Sequence, residues 1–501
     1  MSRRLGAVGV IMLALFIVLA AQVAYLQFWH ANALAKSELN PRVQNATLYL
    51  PRGDIVAADG TVLAHSVPSG DPFNPWRRIY PDGSLTAGVV GFDSSYYGAW
   101  GLEAYYNDYL IAHKQPPATW KDLLSPKFAS DTVQLTLLPA LQKVAQNALA
   151  GRDGAVVVLD PRNGSVLSMY SNPTYNDNVI ATTSIPAQIA AWKAYNTPDV
   201  HNFTPLAQLA TQWSFPPGST FKVVTSSAVF SSDPVLLNKQ YPQTVCFVPP
   251  NGNPQKPLCN DSYARCGGTV QAMLPPSCDT GFAMVGGDLG GTLLSAQANK
   301  FGFNEVIPID LYGTAVSYFP SPLTLANDIP QLEYSAIGQE NVRATALQNA
   351  LVAAGIANGG VVMTPHLMSE IIGPNDLVLK KYEATPWLTA ILPSDAAPIN
   401  QMMQNVVAYG TASGIFSPAD NVAAKTGTAQ TGTLNPLTDD WMIAFAPANH
   451  PTVAVAVVLP FQPKYNYGAT IAGPVVKCMI EGTLAVQNGQ PASGTPTTCP
   501  K

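Results

Sequence analysis

The hydrophobic pattern divides the chain into three kinds of stretch. One is a continuous apolar run: Gly6 to Tyr25 is interrupted only by Gln22, and Leu26, Phe28 and Trp29 extend it. About 20 such residues at helical rise cross the ~30 Å hydrocarbon core of a bilayer. The second kind is short and strand-like. Asn45 to Tyr49 and Gly53 to Val62 read as short strands with a turn at Ala58-Asp59-Gly60, and Thr132 to Leu138 alternates. Gly154 to Leu159, a turn at Asp160-Pro161-Arg162-Asn163-Gly164 and Ser165 to Tyr170 form a predicted hairpin. Val422 to Thr428, Trp441 to Ala446 and Val453 to Leu459 are predicted strands, the last two joined through Pro447 to Pro451.

The third kind has helical period. Pro139 to Ala150 puts Leu141, Val144, Ala145, Ala148 and Leu149 on one face. Further helices are predicted after Pro216 as far as Phe230, over Thr280–Gly286, Leu293–Phe301 and Ala396–Val407, and from about Ala472 to Gln487. Arg343 to Ala357 reads as an amphipathic helix stopped by Asn358-Gly359-Gly360. Ser69 to Lys127 is aromatic and turn-rich without a clean period, and Pro234 to Pro276 reads as surface loop. The Gly, Pro, Ser and Thr of Asn488 to Lys501 predict a disordered tail.

Composition changes this picture in two ways. Of the 501 residues only 11% are charged, and the net charge is -5 with no run of lysine or arginine. Phosphate backbones are bound by clustered cations, so nucleic acid is not an expected partner. Arg3 and Arg4 precede the apolar run and would hold the N-terminus in the cytoplasm. Two readings of that run stay open. One is an uncleaved single-pass anchor in the cytoplasmic membrane; the other is a signal peptide cut near Ala33-Leu34-Ala35. The run exceeds the 7–15 apolar residues of a signal peptide, which favours the anchor. Both put the rest of the chain on the extracytoplasmic side.

There, disulfides form readily. Cys246, Cys259 and Cys266 sit close together, and one bridge is expected among them. Cys278 reads as a small packing residue. Scattered histidines and the absence of Cys-x-x-Cys or His-Glu-x-x-His predict neither metal nor cofactor.

The chemistry concentrates in three segments. Pro216-Pro217-Gly218-Ser219-Thr220-Phe221-Lys222 holds the only Ser-x-x-Lys of the chain. The prolines cannot lie within a helix, so a helix is expected to begin near Ser219, with Lys222 on the same face. An amine beside a hydroxyl can take its proton if burial keeps the amine neutral. Taken alone the pattern is weak, because chance supplies about one or two Ser-x-x-Lys in a chain this long and a serine at a helix start is often only a cap. Ser277-Cys278-Asp279 follows, its serine placed to relay a proton. In Lys425-Thr426-Gly427-Thr428, at a strand end, the lysine and both threonines can hold a carboxylate, and Gly427 lets another backbone approach.

Together the three segments resemble the motifs of the penicillin-binding protein transpeptidases. Arg52-Gly53-Asp54-Ile55 and Asp59 to Ala64 are similar to the start of the membrane-proximal domain in class B members, and the closest likeness is to the actinobacterial type. The resemblance implies an α+β fold of the serine β-lactamase-like kind, with a central antiparallel sheet flanked by helices. The implied division is an anchor at 1–30, a membrane-proximal α/β domain at 31–150, a transpeptidase domain at 151–487 and a tail at 488–501.

It further implies that Ser219 attacks the D-alanyl-D-alanine carbonyl of a peptidoglycan stem peptide, and that an amine on a second stem takes the acyl group. Lys222 would be the base, Ser277 and Lys425 the relay, and the N–H groups of Ser219 and Thr428 the oxyanion hole. A β-lactam would trap Ser219, and a glycan polymerase of the SEDS type would be the partner. Asp279 departs from the family, which usually has asparagine there. A carboxylate would favour a charged Lys222 and make it a worse base. A weakly active or non-catalytic scaffold is therefore one alternative. A β-lactamase is another, for which the sequence offers no second base.

Overall fold

The computed structural model describes residues 2–28, 50–72, 74–115, 119–121, 127–431, 437–463 and 467–492. The strand expected at Asn45–Tyr49 and most of the expected tail lie outside them. In chain order the main elements are α1 (Ser2–Phe28), β1 (Ile55–Val56), β2 (Val62–Pro68), β3 (Trp76–Ile79), β4 (Thr132–Leu135) and α2 (Pro139–Leu149). Then come β5 (Gly154–Leu159), β6 (Val166–Asn172), α3 (Lys222–Ser232), α4 (Asp279–Lys300) and α5 (Ala346–Ala357). Last are β7 (Met368–Ile372), β8 (Val378–Lys381), α6 (Pro393–Ala408), β9 (Ala423–Gln430), β10 (Leu437–Ala446), β11 (Val453–Pro463) and α7 (Gly468–Gln487).

Five strands form the sheet that carries the site, in the order β6-β5-β11-β10-β9, and every neighbouring pair is antiparallel. All six residues of β5 are buried. A strand covered on both faces reads as a continuous apolar run, which is why Ala155-Val156-Val157-Val158-Leu159 stands out in the sequence. The helices α2 and α7 pack on each other and on this sheet; α5 packs on β5, β10 and β11. A six-stranded sheet, β8-β7-β4-β1-β2-β3, joins strands from residues 55–135 to two from residues 368–381. Beside its edge strand β3, Glu103, with no exposed side-chain surface, accepts from Arg52 Nη2 at 2.8 Å and Arg78 Nε at 2.5 Å.

Several expectations are corrected. The helix predicted from Arg343 starts at Ala346, because Arg343 and Ala344 pair with Tyr318 and Phe215 and the Thr345 hydroxyl caps the helix at Gln348 N. It is buried all round rather than amphipathic, only Ala357 escaping full burial. The two helices predicted over 280–301 are one run, α4, broken in backbone angle at Gly290 (φ 72°, ψ 162°). The loop predicted at 234–276 contains short strands, with Cys246 bridged to Cys259 as expected of that trio. Cys278 is not a packing residue: it is bridged to Cys266, whose strand passes beside the start of α4.

Among the described helices α7 is long and apolar enough to cross a membrane, but half of its apolar stretch is buried. In α1, by contrast, Leu13, Phe16, Ile17 and Leu19 all stand exposed.

Candidate active site

The serine turn is built by its neighbours. Pro216 offers its carbonyl to the indole Nε1 of the buried Trp441 at 2.8 Å, fixing the turn to β10. Gly218 has φ 52°, and its N–H bonds Gly338 O at 2.9 Å. A side chain at Gly218 would press on Thr428 C and O at 3.1 Å, so glycine lets the turn lie against β9. The α-helix expected at Ser219 begins only at Lys222; Gly218–Phe221 is a single 3₁₀ turn. In a 3₁₀ turn side chains three apart eclipse, which still brings Ser219 and Lys222 to one side.

Lys222 and Lys425 are both fully buried. Lys222 Nζ donates to Ser277 O at 2.6 Å, Ser277 Oγ at 3.2 Å and Asp279 Oδ1 at 2.6 Å. Lys425 Nζ donates to the same Ser277 Oγ at 2.8 Å and to Thr426 O at 2.9 Å. One hydroxyl therefore joins the two amines. Burial lowers the pKa of Lys222, and Asp279 works against that shift. Burial pushes Lys425 far lower, and the charge of Lys222 adds to the effect. Two desolvated amines this close favour a state in which at least one is neutral, as proton transfer demands.

Ser277 is held at φ 59°, a left-handed backbone that a non-glycine residue adopts at a cost of about 1–3 kcal/mol. The turn aims its hydroxyl at the lysines instead of capping α4, whose N-cap is Cys278. Asn260 steadies the same corner by accepting from Thr280 N at 2.9 Å. Asp279 opens α4, where the helix N-terminus favours negative charge. The hydroxyl of Ser219 donates to Asp279 Oδ1 at 3.4 Å, so the carboxylate stands between nucleophile and lysine.

On β9, Thr426 is buried and shares a 2.6 Å hydrogen bond with Thr411, while Thr428 Oγ1 accepts from Gly468 N at 3.0 Å. A side chain on Gly427 would meet Pro217 O at 2.9 Å, the close backbone approach expected of that glycine. The structure thus gathers Ser219, Lys222, Ser277, Asp279, Lys425, Thr426, Gly427 and Thr428 around one corner of the sheet. Sequence reasoning missed Trp441 and a buried acidic pair. Burial raises both Asp439 and Asp440 to about 7, and Asp440, opposite Thr428 in the register, feels Asp439 in addition.

A raised carboxyl stabilises the fold fully below its ordinary range, near 3.8, and that contribution is lost as pH rises through about 7. Asp440→Asn is accordingly expected to exceed the melting temperature of the parent by several degrees more at pH 8 than at pH 4. An equal difference at both pH values would contradict the assignment.

Comparison with known proteins follows the same lines. The family profile "Penicillin binding protein transpeptidase domain" matches residues 154–481, and "Penicillin binding protein A dimerisation domain" matches residues 52–127. The peptidoglycan D,D-transpeptidase PbpA of Mycolicibacterium smegmatis is 33% identical over 504 residues, 97% of this chain and 99% of the relative. PbpA of Mycobacterium tuberculosis is 29% identical over 505 residues, with the same coverage. The crystal structure of the latter superposes with a TM-score of 0.76 at 30% identity, covering 87% of this chain and 99% of that one. Its ceftriaxone acyl-enzyme complex gives 0.77 at 29%, covering 88% and 99%. With the three motifs assembled at one corner of an antiparallel sheet and a transpeptidase profile spanning more than half its length, the chain belongs to the penicillin-binding protein transpeptidase family.

Proposed function

We propose that the chain is a serine D,D-transpeptidase that cross-links peptidoglycan stem peptides and is acylated by β-lactams at Ser219. The observation that carries this reading is the hydroxyl of Ser277 bridging two fully buried lysines beside the serine turn. The named activity of the PbpA relatives and the β-lactam acyl-enzymes of the mycobacterial structure support it.

In acylation Lys222 is the proton acceptor for Ser219, with Asp279 between them. Ser219 Oγ bonds to the D-alanyl carbonyl carbon, and the developing oxyanion is met by the N–H groups of Ser219 and Thr428. The proton passes through Ser277, with Lys425 behind it, to the departing D-alanine nitrogen. Lys425, Thr426 and Thr428 hold the terminal carboxylate of the donor. A second stem's amine then attacks the ester and releases Ser219. In this reading α1 anchors the enzyme in the cytoplasmic membrane, since an exposed apolar helix is at home in lipid, with the catalytic sheet on the extracytoplasmic side and a SEDS-type glycan polymerase as its partner.

The test uses the full-length protein in detergent. Fluorescent penicillin is expected to attach to the proteolytic peptide that contains Ser219, and a stem-peptide substrate to yield free D-alanine and peptide dimers. An adduct on any other residue, or none, would refute the reading.

A further inference from the structure

Away from the catalytic corner the structure encloses a cavity of about 1040 Å³, and none of the eight residues gathered around Ser219 lines it. It matches the largest of the ~300–1,000 Å³ pockets that hold small ligands. Its walls come mainly from β2 and β3, from residues 93–113, from residues 181–183 beyond the hairpin β5-β6, and from Leu379 of β8. Two deeply buried wall residues have hydrogen-bonding capacity to spare. Arg78, 4% exposed, gives Nε to Glu103 and Nη1 to Arg52 O and Ser66 Oγ, while its Nη2 has no partner among the described residues. Asp131, 2% exposed, has Oδ2 at 3.7 Å from His113 Nε2, while its Oδ1 has no hydrogen-bond partner among them. A donor and an acceptor in one wall call for a ligand that both accepts and donates. Histidine aside, the charged side chains of the wall are Arg52, Arg77 and Arg78 against Asp93, Asp108 and Asp131, and Glu103 already holds two of those arginines. A wall so balanced selects neither a polyanion nor a cation. Aromatic side chains supply its apolar part: Tyr97 is backed by Trp192 at 4.3 Å, and Tyr96, 54% exposed, stands edge-on to Tyr97 at 4.9 Å. Aromatic faces beside matched donors and acceptors suit a sugar, whose ring has an apolar C–H face and a rim of hydroxyls that donate and accept.

We propose that this cavity binds a neutral saccharide, the N-acetylated glycan strand that carries the stem peptides, so that the membrane-proximal part of the protein holds the polymer while the serine works on its peptide. A sugar ring lies against Tyr96, a ligand oxygen accepts from Arg78, and a hydroxyl or acetamido N–H donates to Asp131. The carboxyl that each substituted sugar would carry is spent in the amide to its stem peptide, so the strand itself is uncharged, as the balanced wall requires. Holding the strand raises the effective concentration of its peptides at the serine without touching the chemistry there. The proposal does not need the acyl-enzyme reading, because saccharide binding is measured without catalysis.

The test titrates full-length protein in detergent with chitotetraose, an uncharged chain of N-acetylglucosamine, and follows binding by ligand-observed NMR. The parent should bind it, and Tyr96→Ala should weaken binding by at least about fivefold through loss of the aromatic face. Asp131→Leu, close in size, should weaken it by about tenfold or more, the worth of a hydrogen bond to a charged group. Both variants should label with fluorescent penicillin at the rate of the parent. On stem peptides carried by short glycan chains, Tyr96→Ala should raise KM and leave kcat, and a free L-Lys-D-Ala-D-Ala tripeptide should be processed as by the parent. If Asp131→Leu melts far below the parent, Tyr96→Ala decides alone, since its side chain is exposed. No binding of chitotetraose to the parent, or an affinity of Tyr96→Ala within about twofold of it, would overturn the proposal. So would loss of binding once Ser219 is blocked by penicillin, which would place the sugar at the catalytic corner, or a preference of the blocked protein for the free tripeptide, which would make the cavity a peptide site. Failure of the parent to label with penicillin would instead count against the acyl-enzyme reading alone.

Discussion

Lys222→Ala is expected to slow acylation of Ser219 by about 10³-fold, within the range that a positioned proton acceptor supplies. The amine has no exposed surface and makes three hydrogen bonds, two of them to Ser277 and one to Asp279. Removing it takes away the base and strands the carboxylate of Asp279 beside the nucleophile. Breaking one side of a buried ion pair costs about 3–5 kcal/mol, and the partial exposure of Asp279 puts this case at the lower end. The two losses separate in a double variant. Lys222→Ala with Asp279→Asn should recover most of the melting temperature, because no lone charge remains, yet stay slow to label. Labelling of the single variant within tenfold of the parent would show that Lys222 is not the base.

A second large effect is expected far from the chemistry. Glu103→Gln keeps the shape of a side chain that accepts from Arg52, Arg78 and the Tyr80 hydroxyl, but removes its charge. Arg78, only 2% exposed, would then be buried without its counter-ion. A loss of about 3–5 kcal/mol follows, seen as a fall of about 10 °C in the melting transition of this part of the chain. Burial alone would raise the pKa of Glu103, but Arg78 and Arg52 outweigh it and hold it below 4.5. A depressed carboxyl contributes stability that is present above its ordinary pKa and lost as pH falls through the folded value. The penalty of the variant should therefore be largest near neutrality and fade in acid. The exposed Glu305→Gln is the control; an equal effect there would refute the network.

The core of the fold was legible because burial on both sides of a strand leaves an apolar run, as at Val156–Leu159 and Val453–Leu459. The start of α5 was not, since nothing local shows that Arg343 and Ala344 pair with distant Tyr318 and Phe215. The joining of β7 and β8 to the six-stranded sheet was equally hidden, because strand partners are chosen by the tertiary fold. At the site, Ser219, Lys222 and Lys425 stood out through local turn and strand chemistry. The Cys266–Cys278 bridge did not, because cysteine spacing fixes no connectivity. Asp440 passed unnoticed because a carboxylate in a strand betrays its burial only once its neighbours across the sheet are known. The position of Asp279 beside Lys222 was anticipated, but its hydrogen bond to Ser219 came from the geometry.

The strand β9 lies at the rim of its sheet, next to the serine turn. A rim strand has one row of N–H and C=O groups that the sheet does not claim, and it accepts partners that arrive as single extended segments. That filters by shape before any bond is made. The folded proteins that share the compartment have their own backbones already paired and offer the rim nothing to hold. A stem peptide is short and unpaired, and the fused rings of a β-lactam hold one stretched residue pair rigid. An activated serine beside such a rim therefore meets extended donors in preference to folded bystanders.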